Sequence, residues 1–380
     1  MLPSLVKTQL LVLQPTAFCN IDCKYCYLPL RSDTRQMSGA TLNAIGRSIV
    51  ASPSFGDSTT LVWHAGEPLV LDPEWYRRAV YNLESASSRK ISRQSFQTNA
   101  TLINESWLDY FEQSGVSVGV SLDGPEAIND LHRQDRRGRG TWSKAMKGIE
   151  MLNARSIPYH IIAVVTEASL SRPEDIASAL VDAGPTSIGL NIEEIDGSNT
   201  ESSLLSGVTQ DRVREFLDRF LNALSGHTSP PRFREFDNLK NMLLTVRAGQ
   251  VVRNQENSPG AIVSVDLEGN ISTFSPELLG MNAPEFNDFR FGNVHHIRDL
   301  NDVFRSKWYR DCHLKVAVGV ARCKKTCGHF AICGGGSPSN KFGETGCLDS
   351  TETAFCRLSV KTVLDHLIDK YAFQESTEKA

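Results

Sequence analysis

Between residues 8 and about 192 the chain passes through six short apolar segments: Gln9 to Gln14, Thr60 to His64, Ser92 to Gln97, Ser117 to Leu122, Tyr159 to Thr166 and Ser187 to Ile192. Stretches with helical periodicity separate them. This alternation constrains the fold more than any other feature, because neighbouring parallel strands need a long crossover and a helix is the usual way to supply it. The reading is an α/β chain whose first part, residues 8–226, is a partial (β/α)6 TIM-like barrel with right-handed crossovers. One connecting helix is expected over Arg172 to Ala183, with Ser171 and Glu174 as a capping box, Pro173 in its first turn and Gly184 at its end. Another follows the sixth strand, where Val213, Phe216, Leu217, Phe220, Leu221 and Leu224 share one face and Gly226 closes the helix.

The texture then changes. Pro230-Pro231 opens a linker or bridging region, residues 227–255. Beyond Gly249 the pattern suggests few long helices, many glycines, and six of the nine cysteines. Residues 256–357 read as a second, smaller domain, with a hairpin from Ile262 to Thr273 turning at Glu268-Gly269-Asn270. A helix from Leu358 to Tyr371 and a tail complete residues 358–380. The barrel begins almost at once, which leaves no room before it for a domain that would bind the leader of a peptide substrate.

A net charge of −4 argues against nucleic acid as the main partner. No apolar run approaches a membrane span, and Leu10 to Leu13 is too short for a signal-peptide core, so a cytoplasmic protein is expected. The local basic stretch Arg133-Gln-Asp-Arg136-Arg137-Gly-Arg139 reads as a solvated loop, or as a surface for a carboxylate or an acidic peptide.

In a parallel barrel, ligands gather where the strands end. Cys19-Asn-Ile-Asp-Cys23-Lys-Tyr-Cys26 follows strand one, and His64-Ala-Gly66-Glu67-Pro68 ends strand two. Gln97-Thr-Asn99 ends strand three, and Ser121-Leu-Asp123-Gly124 ends strand four. All four candidate motifs fall on one rim. Three thiolates cannot complete the shell of a four-iron cubane, so one iron would stay open for chemistry, with Tyr25 as a flat surface beside it. Zinc is the alternative metal for such thiolates.

CxxxCxxC after the first strand resembles the signature of the radical S-adenosylmethionine (SAM) enzymes. That resemblance implies a [4Fe-4S] cluster on Cys19, Cys23 and Cys26 whose open iron binds SAM, and cleavage of SAM to a 5′-deoxyadenosyl radical. It also implies roles in SAM binding. Gly66 and Glu67 would hold the amino group, with Ala65 a mild departure from the family's GGEP motif. Gln97, Asn99, Ser121 and Asp123 would supply polar contacts, and Arg133 would pair with the carboxylate unless it is a solvated surface arginine.

The second cysteine set, Cys323-Lys-Lys-Thr-Cys327, Cys333-Gly-Gly-Gly-Ser337, Cys347 and Cys356, resembles the SPASM-type auxiliary iron–sulfur domain of peptide-modifying radical SAM enzymes. The family's full pattern holds two auxiliary clusters. Here Asn257 to Gly260, Thr273 to Ser275 and Ser337 stand where inner-cluster cysteines are expected. One auxiliary [4Fe-4S] cluster is therefore expected, on Cys323, Cys327, Cys333 and Cys356, with Cys347 as an alternative to Cys356, Cys312 as a free thiol, and zinc again as the other metal.

Leu13-Gln-Pro-Thr, Cys26-Tyr27-Leu-Pro, Cys333-Gly-Gly-Gly and Asp349 to Cys356 look most like the glycine-rich-repeat, cyclophane-forming maturases of ribosomally made peptides. This implies a precursor peptide as substrate, an external electron donor, and a carbon–carbon crosslink between an aromatic ring and a β-carbon. Glu193 is the candidate proton acceptor, a rim salt bridge being its other reading. Formylglycine or thioether formation is the alternative chemistry, and a zinc-binding protein without catalysis the alternative of another class.

Overall fold

The computed structural model describes residues 7–205 and 207–377, the last seven by backbone alone; the end of the expected tail, residues 378–380, lies outside them. Six parallel strands form in the places expected: β1 (Leu10–Leu13), β2 (Thr60–Trp63), β3 (Gln94–Thr98), β4 (Ser117–Ser121), β5 (Tyr159–Val165) and β6 (Ser187–Ile192). Their spatial order follows their chain order, as a barrel wall requires; a doubly wound sheet would reverse direction. On β5 the alternation is plain. Tyr159, Ile161, Ala163 and Val165 are buried under the outer helices, while His160, Ile162 and Val164 are half-buried toward the barrel interior.

The outer helices are fixed by caps and by an aromatic layer. Asp72 caps the helix Pro73–Ser87 by accepting from the Trp75 amide at 2.6 Å, and Asn104 caps Glu105–Ser114 through the Trp107 amide at 3.2 Å. These helices bring Tyr76, Trp107, Tyr110 and Phe111 onto Trp63 and Phe96 of the sheet, with ring centroids 5.0 Å apart for Trp63–Tyr76 and 4.8 Å for Tyr76–Phe96. Each such pair contributes about 0.5–1.5 kcal/mol beyond its buried area.

Four elements depart from expectation. The helix after β5 starts at Pro173 without a side-chain cap. Ser171 is used in the preceding 3₁₀ turn, Glu167–Ser171, which carries its own capping box of Thr166 and Ser169, and Glu174 instead pairs with Arg219 at 2.7 Å. The linker region holds a short strand, β7 (Arg232–Phe233), parallel to β6, and a helix, Arg234–Arg247, that packs Leu239 with Phe236 and Leu243 into the core. The region beyond Gly249 contains the 20-residue helix Lys307–Thr326, which buries Tyr309, Cys312, Val316, Gly319 and Cys323 on one face. The C-terminal helix opens four residues early, at Ala354, passes through a π-helical turn over Cys356–Lys361 and continues over Thr362–Thr377.

The hairpin forms as read, with β8 (Ile262–Val265) antiparallel to β9 (Asn270–Thr273), and β10 (Gly292–Asn293) adds to β9. β8 also pairs in parallel with β1, Leu10 opposite Ile262 through Leu13 opposite Val265. One ten-stranded sheet thus runs through both parts of the chain, with β10 and β7 as its edges.

Candidate active site

The loop after β1 carries Cys19, Cys23 and Cys26, and arginines pin its backbone. Arg136 donates through Nη2 to the Cys19 carbonyl at 2.7 Å and through Nε at 3.0 Å, and Arg31 donates to the Cys23 carbonyl at 3.1 Å. In the basic stretch Arg133 is buried against a carboxylate, while Arg136 stays exposed as a solvated loop would have it and still spends its guanidinium on the loop carbonyls.

At the end of β2 the chain turns through two residues with positive φ, Ala65 at 75° and Gly66 at 59°. A Cβ on Gly66 would stand 2.4 Å from the Phe18 carbonyl oxygen and 2.8 Å from that of Thr16, so only glycine lets this turn lie against the cysteine loop. Glu67 is buried, and its carboxylate accepts from the Leu69 amide at 2.9 Å, Thr98 Oγ1 at 2.6 Å and the Asn99 amide at 2.8 Å. It ties the end of β2 to that of β3. Burial pushes its pKa up to about 7 against these bonds.

Gln97 Nε2 donates to Ser121 Oγ at 2.9 Å, and Asn99 Nδ2 donates to Asn20 Oδ1 at 2.9 Å. Asp123 is 2% exposed and does not face the cavity. Its Oδ2 accepts from Tyr25 OH at 2.5 Å, and its Oδ1 accepts from Arg133 Nη2 and the Val164 amide, both at 2.9 Å. It is a positioning residue, holding two groups that do face the cavity. Arg133 is buried, lies 5.6 Å from the Tyr25 ring centroid and lines the cavity, with its Nε buried without a partner; its guanidinium is a donor suited to a carboxylate.

A cavity of about 230 Å³ opens at these strand ends. The three cysteines, Tyr25, Gly66, Glu67, Gln97, Asn99, Ser121, Arg133 and Glu193 all line it; of the expected site residues on the rim only Asp123 stands behind its wall. Glu193 makes hydrogen bonds where an ion pair was the alternative: its Oε2 accepts from the amide of Ser203, at 2.7 Å, and from its hydroxyl. Tyr27 and His64, joined at 2.9 Å between hydroxyl and Nε2, complete one wall. Burial lowers His64 to about 4, which keeps the imidazole neutral.

These residues suit an iron–sulfur cluster. The three thiols are free, and burial pushes Cys19 up to about 12 and Cys23 up to about 11, so they ionise only beside strong positive charge. Among the described residues no three His, Cys, Asp or Glu groups converge where a single metal ion could sit. Three thiolates leave one iron of a cubane open beside the cavity, whereas a structural zinc site is closed by four ligands.

Cys323, Cys327, Cys333 and Cys356 line a second cavity of about 230 Å³, while Cys347 is exposed outside it and Cys312 is packed in the core. Lys341 Nζ approaches Cys323 Sγ at 3.6 Å. Where inner-cluster ligands were expected, Ser275 and Ser337 are buried and joined at 2.6 Å, Ser337 meets Ser339 at 2.8 Å, and Asn257 Nδ2 donates to the carbonyls of Gly334 and Gly336 at 3.0 and 3.1 Å. Protein hydrogen bonds fill that place.

Three acids of the first cavity were not singled out from sequence: Glu194, Asp196 and Glu277. The visible signal was the acidic run Glu193-Glu194-Ile195-Asp196 after β6. Gly197, with φ 53°, abuts the Tyr27 carbonyl, and Gly343 of the helix Pro338–Thr345 abuts that of Ile195; an added Cβ would stand at 2.3 Å and 2.2 Å. Asn340 Nδ2 donates to Glu194 Oε2 at 2.6 Å. The acidic loop is thus held between the cysteine loop and the second half of the chain.

Burial raises Asp196 to about 7 and Glu194 to about 8. Both bind protons more tightly folded than unfolded, so their contribution to stability is complete below about pH 4 and is lost as pH climbs through 7 to 8. Thermal melts of the chain without cofactors should show Tm falling between pH 5 and pH 9. Asp196→Asn should flatten that fall; an unchanged slope would mean that the carboxyl is not desolvated.

The sequence profile of the radical SAM superfamily matches residues 13–169. An uncharacterized protein of Synechocystis sp. is 43% identical over 97% of this chain and 93% of its own length. The serine-type anaerobic sulfatase-maturating enzyme of Klebsiella aerogenes is 36% identical over 44% of this chain and 42% of its own length. Among solved structures, native anSMEcpe with bound AdoMet and Cp18Cys peptide superimposes with a TM-score of 0.76 at 19% identity, covering 97% of this chain and 99% of that one. At that identity the likeness is one of fold, and it spans the barrel and the second domain alike.

Proposed function

This chain belongs to the radical SAM superfamily, and on that footing we propose that it closes a carbon–carbon bond in a ribosomally made peptide, between an aromatic ring and the β-carbon of a nearby residue. Cys19, Cys23 and Cys26 would hold the [4Fe-4S] cluster that binds SAM, and Cys323, Cys327, Cys333 and Cys356 an auxiliary [4Fe-4S] cluster. When bound, these groups supply a radical able to remove a hydrogen atom from an unactivated carbon, and a sink for one electron.

The chain's own residues do the rest. Arg133, through its guanidinium, and the polar pair Gln97–Ser121 orient the cofactor's charged and hydroxyl groups. Ile21, Leu28, Val164 and Ile192 keep the wall apolar and exclude water. The new bond removes two hydrogens from the peptide, one as an atom and one as a proton with its electron returned to the protein. Glu193 is the proposed acceptor of that proton; an external donor supplies the electron that starts the first turnover, and the electron returned at each crosslink starts the next.

The observation that carries this reading is the Ser275–Ser337 contact. It fills the inner-cluster place and leaves one set of four cysteines on one cavity. The resemblance to sulfatase maturases would call for the full cysteine set, whereas a crosslinking reaction needs only one electron sink. Formylglycine formation is the second reading, favoured by the similarity to the Klebsiella enzyme over 169 residues.

The test is anaerobic reconstitution, expected to give about eight irons per chain, followed by co-expression with a short peptide of repeated aromatic motif encoded beside the gene. Mass spectrometry should show a loss of two hydrogens per crosslink and no backbone fragments between the joined residues. A peptide of unchanged mass would refute the proposal, and a hydrazide-reactive aldehyde would select formylglycine. Glu193→Gln should slow crosslinking; an unimpaired rate would remove Glu193 from the mechanism.

A further inference from the structure

The walls of the reaction cavity are unbalanced in charge. Glu193, Glu194, Asp196 and Glu277 line it, and the only lysine or arginine among its lining residues is Arg133, already paired with Asp123. The strongest electrostatic influences on Glu277 are other carboxylates, those of Asp196, Glu256 and Glu194. No lysine or arginine is ion-paired to Glu194, Asp196 or Glu277 among the described residues.

Asp196 is the telling member. It is 3% exposed, and neither carboxylate oxygen has a full hydrogen-bond partner, with Ser339 and the Gly197 amide the nearest donors. A buried carboxylate without partners is costly unless something arrives to meet it. That something is not a single metal ion, because the acids do not converge on one point. The place is also accessible: a second hollow, lined by Pro29, Gly197, Ser198, Gly280 and Met281, shares Tyr27, Leu28 and Glu277 with the reaction cavity.

We propose that Asp196, with Glu194 and Glu277, forms a subsite that takes a cationic side chain of the substrate, arginine or lysine, as the peptide enters past Tyr27. This rests on the peptide-modifying reading above and adds to it the chemical class of a residue the peptide must carry near the reacting position. An ammonium or guanidinium spans the separated carboxylates, satisfies the bare oxygens of Asp196, and fixes the register in which the peptide meets the cofactor.

Binding tests it without turnover. The probes are acetyl-Gly-Arg-Gly-amide and its citrulline counterpart, which keeps shape and loses charge, titrated anaerobically into the reconstituted full chain with SAM. The arginine peptide should bind about tenfold more tightly, the effect of one partly buried ion pair. Asp196→Asn alone should shrink the ratio, and Asp196→Asn with Glu277→Gln should bring it near one, with SAM affinity unchanged. Asp196→Asn puts a neutral group of the same shape in place of a carboxyl that burial already holds against ionising, and is expected to fold.

Equal binding of the two probes to the unaltered protein, or a ratio that survives both substitutions, overturns the proposal. So does loss of SAM affinity in Asp196→Asn, which would assign the acids to the positive charge of the cofactor. If the arginine preference holds and no crosslink is ever found, the proposed reaction fails while the subsite stands.

Discussion

Asp123→Asn is expected to destabilise the chain by about 3–5 kcal/mol, the range for breaking one side of a buried ion pair. One carboxylate receives three donors, Tyr25 OH, Arg133 Nη2 and the Val164 amide, each within 2.9 Å. An asparagine offers one oxygen and one amide nitrogen, so in either orientation a donor faces a donor, and a guanidinium whose side chain is 9% exposed loses its counter-charge. Urea unfolding reads the loss directly. The double variant Asp123→Asn with Arg133→Met should lose less than the sum of the single changes, because removing both charges leaves none unpaired. A loss under about 1 kcal/mol for Asp123→Asn would mean that the pair does not hold this wall.

Gly66→Ala is expected to be the other severe change, about 3 kcal/mol or more, since it combines backbone strain with a steric clash. A methyl group there would have to displace the backbone at Thr16, Ala17 and Phe18, the segment that delivers Cys19. The loss should therefore appear twice, in the denaturation midpoint and in the visible absorbance of the reconstituted cluster. Its neighbour gives the opposite sign. Ala65 already sits at φ 75°, so Ala65→Gly should stabilise by about 1 kcal/mol. Equal and small effects at both positions would show that the turn yields freely.

What could be read from sequence, and what could not, follows from the range of the interactions. Strand positions and the rim motifs were legible because alternation and β/α spacing are local. The helix Lys307–Thr326 was not, although Tyr309, Cys312, Val316, Gly319 and Cys323 recur at spacings of three and four. Two of those five are cysteines and one is glycine, so the stripe does not look apolar until Leu348 and the second cavity close over it. The acidic run after β6 is visible in the sequence, but nothing local separates Glu194 and Asp196 from Glu193, whose carboxylate accepts from the Ser203 amide. The burial of Asp196 depends on Gly343, more than a hundred residues away, and no local pattern announces it. Ser275 and Ser337 were marked as missing cysteines, yet their contact at 2.6 Å spans 62 residues and needed the fold.

The pairing of β8 with β1 sets a limit on how this chain can be cut. A fragment that stops before Ile262 would leave Leu10 to Leu13 as an open sheet margin, with Leu11, Val12 and Leu13 fully apolar and their outward-facing amides and carbonyls bare. Such margins recruit strands from other molecules. The cysteine-rich half therefore acts as a guard against self-association of the half that generates the radical, and dissecting the two by truncation would yield aggregates where two working modules were sought.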